Sequence, residues 1–145
     1  MKKKSLLIGM AALIFPMTMM GQYTIYPVPH TQTAGTGTVS FTNIVNVVCD
    51  NGIDEATRNR VKDIFAAHNV TVTFSDAASS TESNVYLGVN GANGQGNAMA
   101  TQLGLSTDVL TKEGKFDRHI LSLTDGGNGT AQLLVLGENT DATFF

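Results

Sequence analysis

The chain has 145 residues, of which 42% are hydrophobic and 14% are charged, and its formal net charge is −3. This length fits one domain, and the low charge content excludes a chain kept disordered by charge repulsion. The acidic balance argues against a nucleic-acid partner, which requires clustered Lys and Arg. The single cysteine, Cys49, excludes an internal disulfide framework and a thiolate-based zinc site.

The first 21 residues have the pattern of a secretory signal peptide. Lys2, Lys3 and Lys4 precede the uncharged run Leu6–Met20, which Pro16 interrupts. A membrane-spanning helix needs about 20 apolar residues, so cleavage after Gly21 fits better than the alternative, a membrane anchor. We therefore predict export to a secreted or periplasmic location, with no membrane contact after cleavage.

Residues 22–145 are predicted to form a single domain. Removal of the signal leaves six Lys and Arg against twelve Asp and Glu, so the net charge of this part is −6. Short apolar or alternating runs separated by turn residues predict strands. They are Tyr23–Tyr26, Thr38–Thr42, Ile44–Cys49, Val70–Phe74, Asn84–Val89, His119–Thr124 and Thr130–Gly137. We expect Thr38–Thr42 at an edge and Ile44–Cys49 in the middle of the sheet.

The clearest helix signal covers Ile53–His68. Asp54 is placed to cap its N-terminus, and Asn69 to end it. The spacing i, i+3, i+4, i+7 predicts that one stripe is buried. Its members are Val61, Ile64, Phe65 and His68.

Two weaker helix signals and a hairpin follow. A loop over Asn90–Asn97 leads to a short helix over Ala98–Leu103 and an irregular or helical stretch over Ser106–Leu110. Asp125–Gly129 has the composition of a hairpin turn. Together these elements predict an α/β (α+β) fold in which helices pack on a mixed β-sheet.

The last residues predict a further helix. Asn139 or Thr140 can cap a turn over Asp141–Phe145, and so short a helix is marginal in water. We interpret 22–145 as a domain truncated at the start of its last helix. The alternative is a true terminus whose two phenylalanines fold onto the sheet.

No catalytic, cofactor-binding or metal-binding residue is predicted. The histidines His30, His68 and His119 have no metal-ligand spacing, and structural roles are expected for all three. Gly88–Gly96 matches no phosphate-binding motif and is interpreted as a flexible surface loop, with ligand contact as the alternative. The segment Asp125–Thr130 lacks the ligands of a calcium loop, and the adjacent carboxylates Asp54 and Glu55 are explained by helix capping.

The segment Ile25–His30 has the sequence IYPVPH. It looks like the I-Y-P-x-P-Q/H opening of the N-terminal domain of bacterial β-N-acetylglucosaminidases of glycoside hydrolase family 84, the hyaluronidase and O-GlcNAcase-like group. Four further stretches keep the family's order. They are Ile44–Val48, Val85–Gly88, Asp117–Leu121 and Leu134–Phe145.

The resemblance implies a non-catalytic α/β accessory domain, zincin-like in layout and similar to the second domain of family 20 hexosaminidases. Such a domain packs beside a (β/α)8 barrel in the same polypeptide, where an adjacent Asp-Asp pair performs substrate-assisted hydrolysis. This sequence has no Asp-Asp pair, so no catalytic residue carries over and no cofactor is implied. We predict that the chain alone is inactive and that its parent is a glycoside hydrolase. The alternative is a free-standing exported module that binds glycans.

Overall fold

The computed structural model describes residues 29–113 and 118–144, so the predicted signal peptide and the strand Tyr23–Tyr26 lie outside the described residues. The chain divides into two units, one ending at Gly35 and one beginning at Thr36. Of the first unit, residues 29–35 are described, and they form neither helix nor strand. The second unit contains the elements β1 (Ile44–Cys49), α1 (Glu55–Ala66), β2 (Thr71–Ser75), β3 (Ser83–Val89), α2 (Gln95–Gln102), a 3₁₀ helix (Asp108–Thr111), β4 (His119–Gly127), β5 (Thr130–Gly137) and α3 (Thr140–Phe144).

The strands form one mixed sheet in the order β2-β1-β3-β5-β4. The pairs β1–β2, β1–β3 and β3–β5 are parallel, and β4 is antiparallel to β5. Strands covered on both faces are continuous apolar runs, and the interior strand β1 has such a sequence, IVNVVC. The predicted α/β class, and the predicted interior position of Ile44–Cys49, are confirmed.

Each face of the sheet carries its own apolar core, because successive side chains of a strand point to opposite faces. On the first face, here called the α1 face, strand residues such as Val45 and Leu87 pack with Val61 and Phe65 of α1. On the opposite α2 face, residues such as Tyr86 and Leu134 pack with Met99 and Ala100 of α2. The helices thus lie on opposite sides of the parallel strands.

The predicted strand Thr38–Thr42 is wrong, because residues 38–42 belong to no strand. At the end of this segment, hydrogen bonds to side chains take the place of backbone pairing between strands. The N–H of Thr42 donates to Oγ of Ser83 (3.0 Å), and the N–H of Ser83 donates to Oγ1 of Thr42 (2.8 Å). The backbone of this segment is therefore anchored to the start of β3 without extending the sheet.

Helix α1 confirms the predicted cap and corrects the predicted stripe. Oδ1 of Asp54 accepts a hydrogen bond from the N–H of Thr57 (2.8 Å), and Asn69 ends the turn with φ of 59°. The buried line follows Thr57, Val61 and Phe65, whereas Ile64 is 53% exposed and His68 is exposed. Since α1 rests against β2 at the sheet edge, only a narrow line of the helix is covered, and Ile64 falls outside it.

The second half of the chain keeps the predicted order with shifted boundaries. Helix α2 starts inside the predicted loop, and a 3₁₀ helix occupies the stretch expected to be irregular or helical. The hairpin is confirmed, with positive φ at Asn128 (53°) and Gly129 (76°), as a two-residue primed turn requires. Arg118 and Glu138, at the open end of this hairpin, form an ion pair (2.6 Å).

Helix α3 begins where the sequence predicts a last helix. Oδ1 of Asn139 accepts a hydrogen bond from the N–H of Ala142 (2.8 Å), which makes Asn139 the cap. Across residues 29–113 and 118–144, no helix is long and apolar enough to span a membrane.

Candidate functional site

The centre of the sheet has the topology at which open α/β sheets bind ligands. The chain leaves β1 toward β2 on one side and leaves β3 toward β4 on the other, so the connections diverge at the carboxyl ends of two adjacent strands. Ligands of such folds bind in the crevice outside these strand ends. Asp50 follows β1 here, and the glycine-rich segment follows β3, which makes this position the first candidate for a site.

Asp50 occupies that crevice with its own carboxylate. Its side chain is buried, with 4% exposure. Oδ1 accepts a hydrogen bond from the N–H of Gly96 (3.2 Å), and Oδ2 accepts one from the N–H of Val89 (3.2 Å). The carboxylate therefore joins the end of β3 to the first turn of α2, where the helix dipole favours a negative charge.

Three glycines make this arrangement sterically possible. A Cβ on Gly94 would lie 2.0 Å from Oδ1 of Asp50, and a Cβ on Gly96 would lie 2.5 Å from Cα of Gly88. These distances are far below van der Waals contact, so side chains are excluded at these positions. Gly88 and Gly96 are buried, and the flexible surface loop predicted for Gly88–Gly96 is wrong at both ends, where the segment belongs to β3 and α2.

The middle of the segment is held by Asn97. Its Nδ2 donates to the carbonyl of Val89 (2.7 Å), and its Oδ1 accepts from the N–H of Gly91 (3.1 Å). The N–H groups of Val89, Gly91 and Gly96, which a bound anion could contact, are thus used by side chains of the chain itself. The geometry is that of an anion-binding site in which the bound anion is the carboxylate of Asp50.

A second concavity lies at the carboxyl ends of β1 and β2. It encloses about 160 Å³ and is lined by Val47, Cys49, Arg58, Phe74, Ser75 and Asp76. Ligand pockets usually measure about 300 to 1,000 Å³, so this cavity is too small for a sugar ring with its contacts. The guanidinium carbon of Arg58 lies 5.7 Å from the ring centre of Phe74.

The thiol of Cys49 in this cavity is not activated. Burial raises the pKa of Cys49, and the nearby Arg58 offsets only part of that effect. The nucleophilic form of cysteine is the thiolate, which a raised pKa disfavours at neutral pH. Cys49 is therefore a small core residue at the edge of the α1 face, as its apolar strand context predicts.

The histidines and carboxylates considered in the sequence are not brought together. His30 and His68 are exposed, and His119 is half-buried with no hydrogen-bond partner for Nδ1 among the described residues. The part of the chain that the structure describes contains no group of three or more His, Cys, Asp or Glu able to hold a metal ion. Asp54 acts as the cap, and its hydrogen bond from the backbone of Thr57 lowers the pKa of its carboxyl.

No role for Asp50 was predicted from the sequence. Two signals could have identified it. An acidic residue directly follows a buried strand, and a glycine-rich segment directly follows the neighbouring strand and precedes a helix. Parallel pairing of the two strands brings both signals to one edge of the sheet.

The comparisons with known proteins give a match among solved structures. No family model matches the sequence, and no curated protein matches it. Among solved structures, one titled "Structure of CpGH84D" superposes with a TM-score of 0.74 at 27% sequence identity. The match covers 86% of this chain but 20% of that chain, so this chain spans about a fifth of the length of its structural neighbour.

This match supports the resemblance found in the sequence. It supports a related domain and no finer assignment. A similar fold is carried by one part of a protein named for glycoside hydrolase family 84, and that part accounts for most of the present chain. The position of such a domain in a parent protein stays a prediction. The chain is thus similar to one domain of a glycoside hydrolase family 84 protein.

Proposed function

We propose that residues 22–145 are a non-catalytic, N-terminal accessory domain of an exported glycoside hydrolase of the β-N-acetylglucosaminidase type. The observation that carries the proposal is the similarity to about a fifth of CpGH84D. A domain of this size beside a much larger remainder is typical of an accessory module. The partner in this proposal is a catalytic barrel elsewhere in the same polypeptide.

The candidate site supports a structural role for the domain. The crevice at the centre of the sheet holds the carboxylate of Asp50, and Asp50 is already bonded to Val89 and Gly96. A carboxylate committed to two backbone N–H groups is poorly placed to act as a general acid or base. The sequence has no Asp-Asp pair of the kind that the family resemblance implies for the catalytic barrel.

Export and the catalytic function of the parent both rest on the sequence. Lys2–Lys4 and the apolar run Leu6–Met20 support a signal peptide, and with it a secreted or periplasmic location. The proposed substrate class, N-acetylglucosaminides, rests on the ordered motifs shared with the family.

Turnover of an aryl N-acetylglucosaminide tests the proposal. We expect no turnover above background by the 145-residue chain, and turnover by a full-length protein that contains the proposed barrel. Circular dichroism of the short chain would serve as the control for folding. Turnover by the short chain, or a full-length protein without hydrolase activity, would contradict the proposal.

A further inference from the structure

Four asparagines of this chain are followed directly by glycine. The pairs are Asn51-Gly52, Asn90-Gly91, Asn93-Gly94 and Asn128-Gly129. Asparagine is a thermolabile residue, and its side-chain amide is most labile before glycine, because glycine has no side chain to shield its backbone nitrogen. In an unfolded chain the four pairs should react at similar rates, so differences between them in the folded protein come from the structure.

The reaction at such a pair is an internal cyclisation. The glycine nitrogen gives up its proton to the solvent and forms a bond to Cγ of the asparagine, while the bond from Cγ to the side-chain nitrogen breaks and that nitrogen takes up a proton and leaves as ammonia. Water then opens the succinimide ring at either carbonyl, which gives aspartate or isoaspartate. The reaction therefore requires a glycine N–H without a hydrogen bond and a peptide with room to rotate toward the asparagine side chain.

Three of the four pairs fail one of these two requirements. The N–H of Gly91 donates to Oδ1 of Asn97 (3.1 Å), which protects this nitrogen. Gly94 lies against the buried Asp50, since an added Cβ would be 2.0 Å from its Oδ1. Gly52 lies against the first residue of α3, where an added Cβ would be 3.1 Å from a side-chain carbon. Rotation of the peptide before Gly94 or Gly52 would have to displace these neighbours.

The pair Asn128-Gly129 meets both requirements. Within the part of the chain that the structure describes, the N–H of Gly129 donates no hydrogen bond, and an added Cβ on Gly129 would meet no atom within 4 Å. Asn128 is exposed at the tip of the β4–β5 hairpin. Exposed loop tips open locally at the lowest cost in free energy, so this peptide can rotate without unfolding the sheet.

We propose that Asn128 is the principal deamidation site of the folded protein and that it converts to aspartate and isoaspartate through a succinimide formed with Gly129. Isoaspartate adds one methylene group to the main chain, so the φ and ψ angles of a two-residue primed turn are lost there. The turn lies at the amino end of β5, whereas Asp50 lies at the carboxyl ends of β1 and β3. The modified protein therefore keeps the hydrogen bonds of its central crevice and stays folded.

Mass spectrometry of the aged 145-residue chain tests this proposal. Samples are incubated at neutral pH in native buffer and in urea, and the aspartate and isoaspartate forms of each Asn-Gly peptide are separated and quantified over time. In native buffer we expect Asn128 to react at least tenfold faster than Asn51, Asn90 and Asn93. In urea we expect the four rates to converge to within a few-fold. A native rate at Asn128 equal to or below that of another pair, or the same spread of rates in urea, would overturn the proposal.

Two matched substitutions provide a second measurement. Asn128→Gly removes the amide and leaves Gly-Gly, a sequence that suits the positive φ angles of this turn. Asn93→Gly makes the same change at another asparagine with positive φ (53°). We expect Asn128→Gly to remove at least three quarters of the initial rate of ammonia release by the native chain, and Asn93→Gly to leave that rate unchanged. Circular dichroism verifies the fold of both variants, and equal ammonia release by the two folded variants would overturn the proposal.

Discussion

At the scale of single residues, Asp50 determines the architecture of the centre of the domain. A buried carboxylate is costly unless hydrogen bonds compensate for the lost water. Here the compensation comes from the N–H groups of Val89 and Gly96 and from the N-terminus of α2. These hydrogen bonds require glycine at positions 88, 94 and 96, because a side chain there would collide with Asp50 or with the neighbouring backbone.

We expect Asp50→Ala to lower the free energy of unfolding by about 2 to 4 kcal/mol, because two backbone N–H groups lose a charged acceptor inside the protein. Asp50→Asn should cost less, since one amide oxygen can still accept. Asp108→Asn is the matched control at an exposed carboxylate and should change stability by no more than about 0.5 kcal/mol. Urea unfolding measures all three, and equal stability of Asp50→Ala and Asp108→Asn would refute this role.

At the scale of elements, α1 shows how tertiary packing selects among the possible faces of a helix. Its apolar spacing is compatible with burial of either Ile64 or Phe65, which lie about 100° apart on the helix. The structure buries the Phe65 side, where the ring packs edge-to-face against Phe41 with centroids 5.2 Å apart. The outer side, with Ile64, stays exposed.

Alanine substitutions at these neighbouring positions should therefore differ sharply. Phe65→Ala removes a half-buried ring from the α1 core and should cost about 2 to 3 kcal/mol. Ile64→Ala, its matched control on the same helix, should change stability by no more than about 0.5 kcal/mol. Thermal or urea unfolding of both variants gives the comparison, and a larger loss for Ile64→Ala would contradict the assigned face.

At the scale of the whole molecule, the interior strands form the most protected part of the sheet. β1, β3 and β5 each pair on both sides, while β2 and β4 are edges. A buried side-chain bond strengthens the middle: Nδ2 of Asn46 donates to Oδ1 of Asn84 (3.0 Å), and both residues are 3% exposed. This pair also opposes a one-residue slip of β3, which would bring Ser83 or Val85 opposite Asn46 in place of Asn84.

Native-state amide hydrogen exchange should report this hierarchy. We expect the slowest exchange at interior positions such as Val47, Tyr86 and Leu134, and exchange at least tenfold faster along the edge strand β2. Mass spectrometry or NMR of the folded domain provides the rates. Slower exchange in β2 than in β3 would contradict the observed strand order.

The class of fold, the order of its elements and the resemblance to a family 84 accessory domain can be predicted from the amino-acid sequence alone. These properties follow from local signals: apolar runs for strands, Asp54 and Asn139 as caps, and Asn128-Gly129 as a turn. Such signals act within a few residues and need no knowledge of distant partners.

Three features follow from tertiary packing instead: the buried side of α1, the absence of a strand at residues 38–42, and the position of Asp50 in the central crevice. Each depends on contacts between residues far apart in sequence, such as Asp50 with Gly96 and Thr42 with Ser83. Periodicity specifies that a helix has an apolar face, but the position of the sheet beneath it selects the face. The strand order likewise leaves Leu121 and Leu123 exposed on the edge strand β4, because a strand sequence does not specify which strands a helix will cover.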